Sequence, residues 1–179
     1  MNQHPEHGLL MSTLGRTYKG SLRTLLLAFV LSYATAGIGA ALTELGPWYF
    51  SLRHPPWKPP DAAFGVIWST IFTLCAISGW LAWQAADTLA LRRRVLSLFG
   101  VNAFLNVLWS ALYFKLQRPD WALFEVVFLW LSILALVMGL WRLSRWASLL
   151  LVTYWVWVSI AAVLNVQTVM LNGPFGPKP

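Results

Sequence analysis

The chain alternates five long apolar runs with short segments that carry most of its charge. Each run has about twenty residues or more, the length of helix that crosses the hydrocarbon core of a bilayer. The runs lack the strict alternation of apolar and polar positions that barrel strands need, so helices are expected. The sequence therefore predicts an all-α fold, an integral membrane bundle of five transmembrane helices, near residues 22–45, 62–86, 95–116, 121–140 and 147–171.

The same pattern predicts one domain over residues 22–172, between an N-terminal tail, residues 1–21, and a C-terminal tail, residues 173–179. The N-terminal tail lacks the apolar core of a signal peptide, so a polar extension is expected. The breaks between the runs are short, and Arg92, Arg93 and Arg94 are expected to form the break between the second and third. No room is left for a second domain.

Composition agrees with a membrane protein. Hydrophobic residues make up 58% of the chain and charged residues 11%, whereas soluble domains have about 25% charged residues. The net charge of +7 raises the question of nucleic acid, but the basic residues flank apolar runs, where they set topology and meet lipid headgroups. We therefore expect the lipid bilayer as a partner and no nucleic acid.

The distribution of Lys and Arg also predicts an orientation. More of them lie on the side of the N-terminal tail than on the opposite side, and the positive-inside rule then favours a cytoplasmic N-terminus. The membrane is expected to be that of a bacterial envelope or an organelle. Cys75 is the only cysteine, so no intrachain disulfide can form.

Three of the runs carry a polar or aromatic stripe at helical spacing. Each stripe can line an interior pocket that is walled by tryptophan, or it can serve interhelical hydrogen bonding and packing without a ligand. The sequence alone leaves both interpretations open. The stripes are Phe64, Trp68, Phe72 and Cys75 in the second run, Asn102, Asn106 and Trp109 in the third, and Tyr154, Trp157, Ala161 and Asn165 in the fifth.

A proline-rich connection, WYFSLRHPPWKPP, joins the first two runs. Its four prolines restrict the backbone, so we expect a stiff segment that covers the pocket as a lid. Trp48 and Trp57 are expected at headgroup level or over the ligand. Arg53, His54 and Lys58 are candidates for binding ligand carboxylates at the mouth of the pocket.

Two further features have two interpretations each. In the first run the small pairs Ala36 with Ala40 and Gly37 with Ala41 allow close helix approach, within the bundle or between protomers. Glu125 is an acid well inside an apolar run, and it is either a functional group or a side chain kept solvated near the start of its helix.

Motifs for catalysis or metal binding are absent from the sequence. The three histidines, His4, His7 and His54, lack metal-ligand spacing, although His54 is a remote candidate for binding a haem iron. We expect no metal site and no obligatory cofactor, and the absence of such motifs favours a binding role over an enzymatic one.

Taken together, the proline-rich segment and the motifs that follow it resemble the tryptophan-rich sensory protein family, the bacterial relatives of the mitochondrial translocator protein or peripheral benzodiazepine receptor. The resemblance covers roughly residues 48–172, and it rests on WYFSLRHPPWKPP, Phe64, Gly65, Trp68, Asn106, Trp109, Tyr154, Trp157, Ala161, Leu164 and Asn165. It implies a five-helix bundle, commonly a homodimer, with a cavity beneath the connection between the first two helices.

The resemblance also implies ligands and roles. Family members bind protoporphyrin IX, haem-like tetrapyrroles, sterols and synthetic isoquinoline or benzodiazepine compounds, and transport, stress sensing and light-dependent porphyrin breakdown have been attributed to them. By the same resemblance, Trp109 and Trp157 are cavity tryptophans, Ala161 is the small residue beside the ligand, and Asn165 ends the motif. The expected function is a receptor or carrier for porphyrin or haem, the alternatives being porphyrin breakdown or a transporter that uses Glu125.

The chain departs from the family pattern at three places. Ala62 replaces a tryptophan associated with porphyrin chemistry, which disfavours photochemical breakdown. Thr153 replaces a proline that would kink the fifth helix. Val166 and Met170 replace the tyrosine and the basic residue of a sterol motif, so specific sterol binding is disfavoured.

Overall fold

The computed structural model describes residues 6–175, and their side chains from residue 21 onward. Over these residues the chain forms six α-helices, and the fourth continues into a π-helical turn. Their bounds are α1 Glu6–Leu42, α2 Pro47–Ser51, α3 Asp61–Ala85, α4 Leu89–Ser110 with the π-turn Ala111–Lys115, α5 Pro119–Trp141 and α6 Arg145–Asn172.

Five of these helices are long and apolar enough to cross a membrane, which confirms the predicted bundle and the multi-pass membrane protein. Within the described part of the chain, the spans are Ser21–Leu42, Asp61–Ala85, Leu89–Lys115, Pro119–Trp141 and Arg145–Asn172. The remaining helix, α2, lies in the proline-rich connection.

Two helices begin earlier than the sequence indicated. Helix α1 begins at Glu6, inside the predicted N-terminal tail, although its apolar span begins at Ser21. Helix α4 begins at Leu89 and contains Arg92, Arg93 and Arg94, which were expected to separate it from α3, so that prediction was wrong. The Thr88 hydroxyl caps α4 by accepting from the Leu91 amide at 3.2 Å, and an exposed first turn tolerates charge. Residues 1–5 and 176–179 of the predicted tails lie outside the described residues.

Helix α5 packs against α4 and α6. Buried side chains of α3, α5 and α6 form one cluster, and a second cluster includes Val95 of α4. Hydrogen bonds fix how the helices sit beside each other: the Ser78 hydroxyl donates to the Ala147 carbonyl at 2.7 Å, and the Asn102 amide donates to the Ser132 hydroxyl at 2.9 Å. These contacts hold the helices at the distances that a cavity between them requires.

Helix α1 lies at the edge of the bundle, against α3 and α4. The Ser32 hydroxyl donates to the Phe72 carbonyl at 2.6 Å, and the hydroxyls of Tyr33 and Thr73 are 2.8 Å apart. Its two small pairs have different environments: Ala36 and Ala40 line an interior cavity, whereas Gly37 and Ala41 are exposed. Contact of the exposed pair with another protomer stays a prediction.

Helix α6 is a single helix through Thr153, where the resemblance pointed to a missing proline. Its N-terminus is capped by the Ser144 hydroxyl, which accepts from the Ala147 amide at 3.3 Å. The unbroken helix places Tyr154, Trp157, Ala161 and Asn165 along one side, as their spacing predicted.

Candidate ligand-binding cavity

A cavity of about 520 Å³ lies between α1, α3, α4 and α6, under the connection between α1 and α3. This volume is typical of pockets that enclose small organic ligands. We call residues 52–60 of that connection the mouth segment. The cavity is lined by Ala36, Gly39, Ala40, Thr43, Leu45, Tyr49, His54, Lys58, Asp61, Ala62, Phe64, Gly65, Trp68, Ser69, Phe72, Asn106, Trp109, Ser110, Tyr113, Phe114, Trp157, Ala161, Leu164 and Asn165.

Aromatic rings form most of two cavity walls. On one side the Phe64 and Trp157 rings meet edge to face, with their centroids 5.7 Å apart. On the other side the Trp109 and Tyr113 rings stack at 5.0 Å. Aromatic rings paired in this way are held in fixed orientations, and their faces suit a flat apolar ligand.

The π-helical turn of α4 contributes to the second wall. It spans Ala111–Lys115 and begins two residues after Trp109. Both Tyr113 and Phe114 line the cavity, and the Phe114 ring lies edge-on to Trp109 at 6.0 Å. Consecutive residues of a regular helix point about 100° apart, so the irregular turn helps two neighbouring rings to face one space.

Polar side chains behind the aromatic surface hold the walls in place. The Asn106 amide donates to the Tyr154 hydroxyl at 2.9 Å, and both residues are buried. Tyr154 does not line the cavity; its ring supports Trp68 from behind at 6.1 Å. An amide buried in a membrane bundle needs such a partner, because an unpaired polar group is costly there.

Asn165 joins α6 to the first turn of α5. In the orientation that satisfies its amide, the nitrogen donates to the Pro119 carbonyl and the oxygen accepts from the Leu123 amide, both at 3.1 Å. Both partners are backbone groups in the first turns of α5. Asn165 therefore fixes the end of α6 that carries the cavity wall.

Comparison with known proteins relates this sequence to a protein family. The sequence profile of the TspO/MBR family matches residues 25–171, which contain all of the lining residues. The chain belongs to the TspO/MBR family.

Individual relatives of this TspO/MBR protein come from bacteria and animals. Protein CrtK of Rhodobacter capsulatus is 34% identical over 156 residues, covering 87% of this chain and 96% of the relative. Tryptophan-rich protein TspO of Chlorobaculum tepidum is 34% identical over 156 residues, covering 83% and 96%. The translocator protein of Ovis aries is 30% identical over 119 residues, covering 66% and 70%. The resemblance that the motifs indicated is thereby confirmed.

The cavity of this TspO/MBR protein contains most of the predicted site residues. The predicted residues that line it are Phe64, Trp68, Asn106, Trp109, Trp157, Ala161, Asn165, His54 and Lys58. Trp48, Trp57, Tyr154 and Arg53 do not. Trp48 is half-buried and packs edge-on against Tyr113 at 6.3 Å, so it supports the cavity wall and lies outside the ligand space.

Sequence reasoning missed several lining residues. Tyr113 continues the stripe of Asn102, Asn106 and Trp109 at the next helical position, so the spacing could have identified it. Tyr49 and Asp61 belong to the proline-rich connection and its end, where no helical periodicity applies.

Ala62, which the resemblance singled out as standing in place of a tryptophan, also lines the cavity. The wall therefore has a methyl group at this position and not an indole.

An ion pair occupies the mouth of the cavity. Lys58 forms a salt bridge with Asp61, and the Tyr49 hydroxyl donates to Asp61 Oδ1 at 2.7 Å. Burial, and then the hydrogen bond with the Asp61 carboxylate, raise the pKa of Tyr49, so its hydroxyl keeps its proton. Because Lys58 already has an acidic partner, a ligand carboxylate must compete with Asp61 for it.

His54 lies beside this network, with its ring 5.2 Å from that of Tyr49. Burial, and then the positive charge of Lys58, lower the pKa of His54 below its ordinary value of 6.5. The imidazole is therefore neutral at neutral pH. Neither of its nitrogens has a hydrogen-bond partner among the described residues. Arg53, next to it, is exposed and does not line the cavity.

Glu125 is buried in α5, with 5% of its surface exposed. Neither carboxyl oxygen has a hydrogen-bond partner within residues 21–175. The interpretation in which Glu125 is solvated near the start of its helix is therefore wrong. In the same part of the chain, histidine, cysteine, aspartate and glutamate form no group of three that could hold a metal ion.

Proposed function

We propose that this TspO/MBR protein is a membrane receptor or carrier that binds a flat, largely apolar tetrapyrrole, such as protoporphyrin IX or haem, in the cavity. The observation that carries the proposal is the aromatic lining: Phe64 and Trp157 on one side and Trp109, Tyr113 and Phe114 on the other. Porphyrin rings are flat and apolar, and they stack favourably on such surfaces. No resident cofactor is needed for this role.

The charges at the mouth suit the edge of such a ligand. The porphyrin carries carboxylates, and Lys58 is the cation among the described lining residues. Its salt bridge with Asp61 neutralises most of its attraction, so we expect the carboxylates to contribute less affinity than the ring. The neutral His54 imidazole offers a hydrogen-bond donor beside it. Arg53 is exposed, does not line the cavity and is the weakest of the three candidates.

The test is a titration of the purified protein with protoporphyrin IX, followed by quenching of tryptophan fluorescence. Loss of one stacked indole is expected to weaken binding roughly two- to twelvefold, because aromatic pairs contribute about 0.5–1.5 kcal/mol beyond area burial. Trp157→Ala is the variant. Trp146→Ala is the matched control, since Trp146 lies on the same helix with 72% of its surface exposed. The absence of saturable quenching, or equal affinity of wild type and Trp157→Ala, would refute the proposal.

Glu125 favours a second candidate function, a proton-coupled small-molecule transporter. An ionised carboxylate without a partner in an apolar interior is costly, and acids buried in this way often carry protons across membranes. Uptake of a fluorescent porphyrin into vesicles under an imposed pH gradient tests it. Uptake that is driven by the gradient in wild type and abolished in Glu125→Gln supports the transporter, whereas uptake unaffected by the substitution excludes this role.

The proposed receptor function comes with expectations about its environment and assembly. We expect the protein to lie in a lipid bilayer, to form a homodimer and to have its N-terminus in the cytoplasm. Specific sterol binding stays disfavoured, and the Met170 side chain, at the basic position of the sterol motif, is 79% exposed on the surface of α6. Photochemical porphyrin breakdown stays disfavoured because Ala62 stands where the family pattern has a tryptophan.

A further inference from the structure

Two polar side chains near the end of α6 hold the mouth segment from outside. The Asn172 amide accepts from the Arg53 amide and donates to the Arg53 carbonyl, both at 2.8 Å. Its nitrogen also donates to the Thr168 carbonyl of its own helix at 2.8 Å, which fixes its orientation. One turn or so earlier, the Gln167 amide oxygen accepts from the Trp57 indole nitrogen at 2.8 Å.

None of these four residues lines the cavity, so the contacts do not serve the ligand directly. The two attached residues, Arg53 and Trp57, lie on either side of His54, and Lys58 directly follows Trp57. Both His54 and Lys58 line the cavity. The four prolines between Arg53 and Asp61 restrict the backbone, and the Lys58 amide donates to the Pro55 carbonyl at 3.0 Å. A segment this stiff moves as one piece, so two points of attachment determine the position of the whole.

We propose that Asn172 and Gln167 form a latch that keeps the mouth segment closed over the cavity and sets the rate at which a ligand enters and leaves. The ligand part of this inference rests on the proposed function, whereas the latch itself does not. Entry and exit both need the open segment, and both rates are proportional to its population. Breaking the latch raises that population without removing a ligand contact, so the association and dissociation rates increase together.

The dissociation constant is expected to change little as long as the closed form predominates, because the two rate factors cancel. For loss of one attachment we expect both rates to increase about tenfold, which corresponds to about 1.4 kcal/mol. A residue that merely contacts the ligand would instead raise the dissociation rate alone.

The experiment compares wild type with Asn172→Leu, Gln167→Leu and Trp57→Phe. Stopped-flow quenching with protoporphyrin IX gives both rate constants, and hydrogen exchange of the ligand-free protein gives the opening of the mouth segment. Each attachment reports on the other: the Arg53 amide, bonded to Asn172, is the reporter in Gln167→Leu and Trp57→Phe, and the Trp57 indole N–H, bonded to Gln167, is the reporter in Asn172→Leu. Gln84→Leu is the matched control: the Gln84 amide donates to the Ser21 hydroxyl at 2.8 Å at the opposite end of the bundle.

The latch predicts faster exchange of the Arg53 amide in Gln167→Leu and Trp57→Phe, faster exchange of the Trp57 indole N–H in Asn172→Leu, and wild-type exchange of both groups in Gln84→Leu. Gln167→Leu and Trp57→Phe remove the same bond, so their combination is expected to match either one alone. Unchanged exchange in the latch variants would overturn the proposal. So would a dissociation rate that rises while the association rate stays constant. If no porphyrin binds, the exchange measurements still decide on the latch, and only the proposed function fails.

Discussion

Removing the Tyr154 hydroxyl tests whether the hydrogen bond behind the cavity wall stabilises the bundle. Tyr154→Phe deletes one oxygen and keeps the ring that supports Trp68. The lost partner is the Asn106 amide, 2.9 Å away, and the two residues are 2% and 6% exposed. Little space is therefore left for lipid or detergent to replace the hydroxyl.

The expected magnitude follows from that burial. A typical protein hydrogen bond contributes about 1 kcal/mol, and bonds between membrane helices average about 0.6 kcal/mol. Leaving a buried donor without a partner costs about 1–3 kcal/mol. We therefore expect Tyr154→Phe to lower the free energy of unfolding by about 1–2 kcal/mol. Asn106→Leu removes the same bond, so the double variant should be less destabilised than the sum of the single variants by about 0.6–1 kcal/mol.

Reversible unfolding by SDS in mixed micelles, followed by circular dichroism, measures these free energies. Tyr33→Phe is the control, because the Tyr33 hydroxyl is exposed and its partner Thr73 also donates to the Ser69 carbonyl at 2.8 Å. The control is expected to cost less than Tyr154→Phe. Additive effects of Tyr154→Phe and Asn106→Leu, or a cost for Tyr154→Phe no larger than for the control, would refute the reasoning.

Two further predictions concern the mouth and the size of the cavity. Burial and the charge of Lys58 lower the pKa of His54, so this residue binds a proton more readily in the unfolded chain than in the folded protein. The stability of the protein should therefore fall as the pH drops through about 6.5, the pKa of histidine in the unfolded chain. Thermal midpoints measured against pH should show a smaller fall in His54→Phe than in wild type. Equal pH profiles of the two proteins would contradict this. Ala161→Leu places a larger side chain in the cavity and should weaken porphyrin binding by about tenfold or more in the quenching titration, since a ligand cannot share that volume. Val163→Leu, on the exposed side of the same helix, is its control, and equal affinity of Ala161→Leu and wild type would count against the assigned cavity.

The sequence predicted the spans well because an apolar run must match the thickness of the bilayer wherever it packs. It also identified much of the wall, since Trp109, Trp157 and Ala161 follow helical spacing. The start of α4 was missed because three arginines look like a break, although an exposed capped turn accepts them. Hydropathy marks where a helix lies in lipid, and it is a weaker guide to where the helix begins.

Other parts of the site depend on contacts between distant residues. The pairing of Asn172 with Arg53 joins positions 119 residues apart, and no local pattern signals it. The pairing of Lys58 with Asp61 is local, yet its consequence for ligand carboxylates appears only when Tyr49 is seen to share the same oxygen. The π-helical turn has no clear sequence signature either, and with it Phe114 joins the cavity wall.

The position of α6 has a consequence for biosynthesis. The first helix supplies Ala36 and Ala40 to the cavity, whereas the last supplies Trp157 and Ala161. A nascent chain is made from its N-terminus, so α1 enters the membrane long before α6 exists. A ribosome-bound intermediate that contains α1 to α5 has neither the wall residues of α6 nor the α6 residues that hold the mouth segment. Ligand capture must therefore wait until α6 has been made.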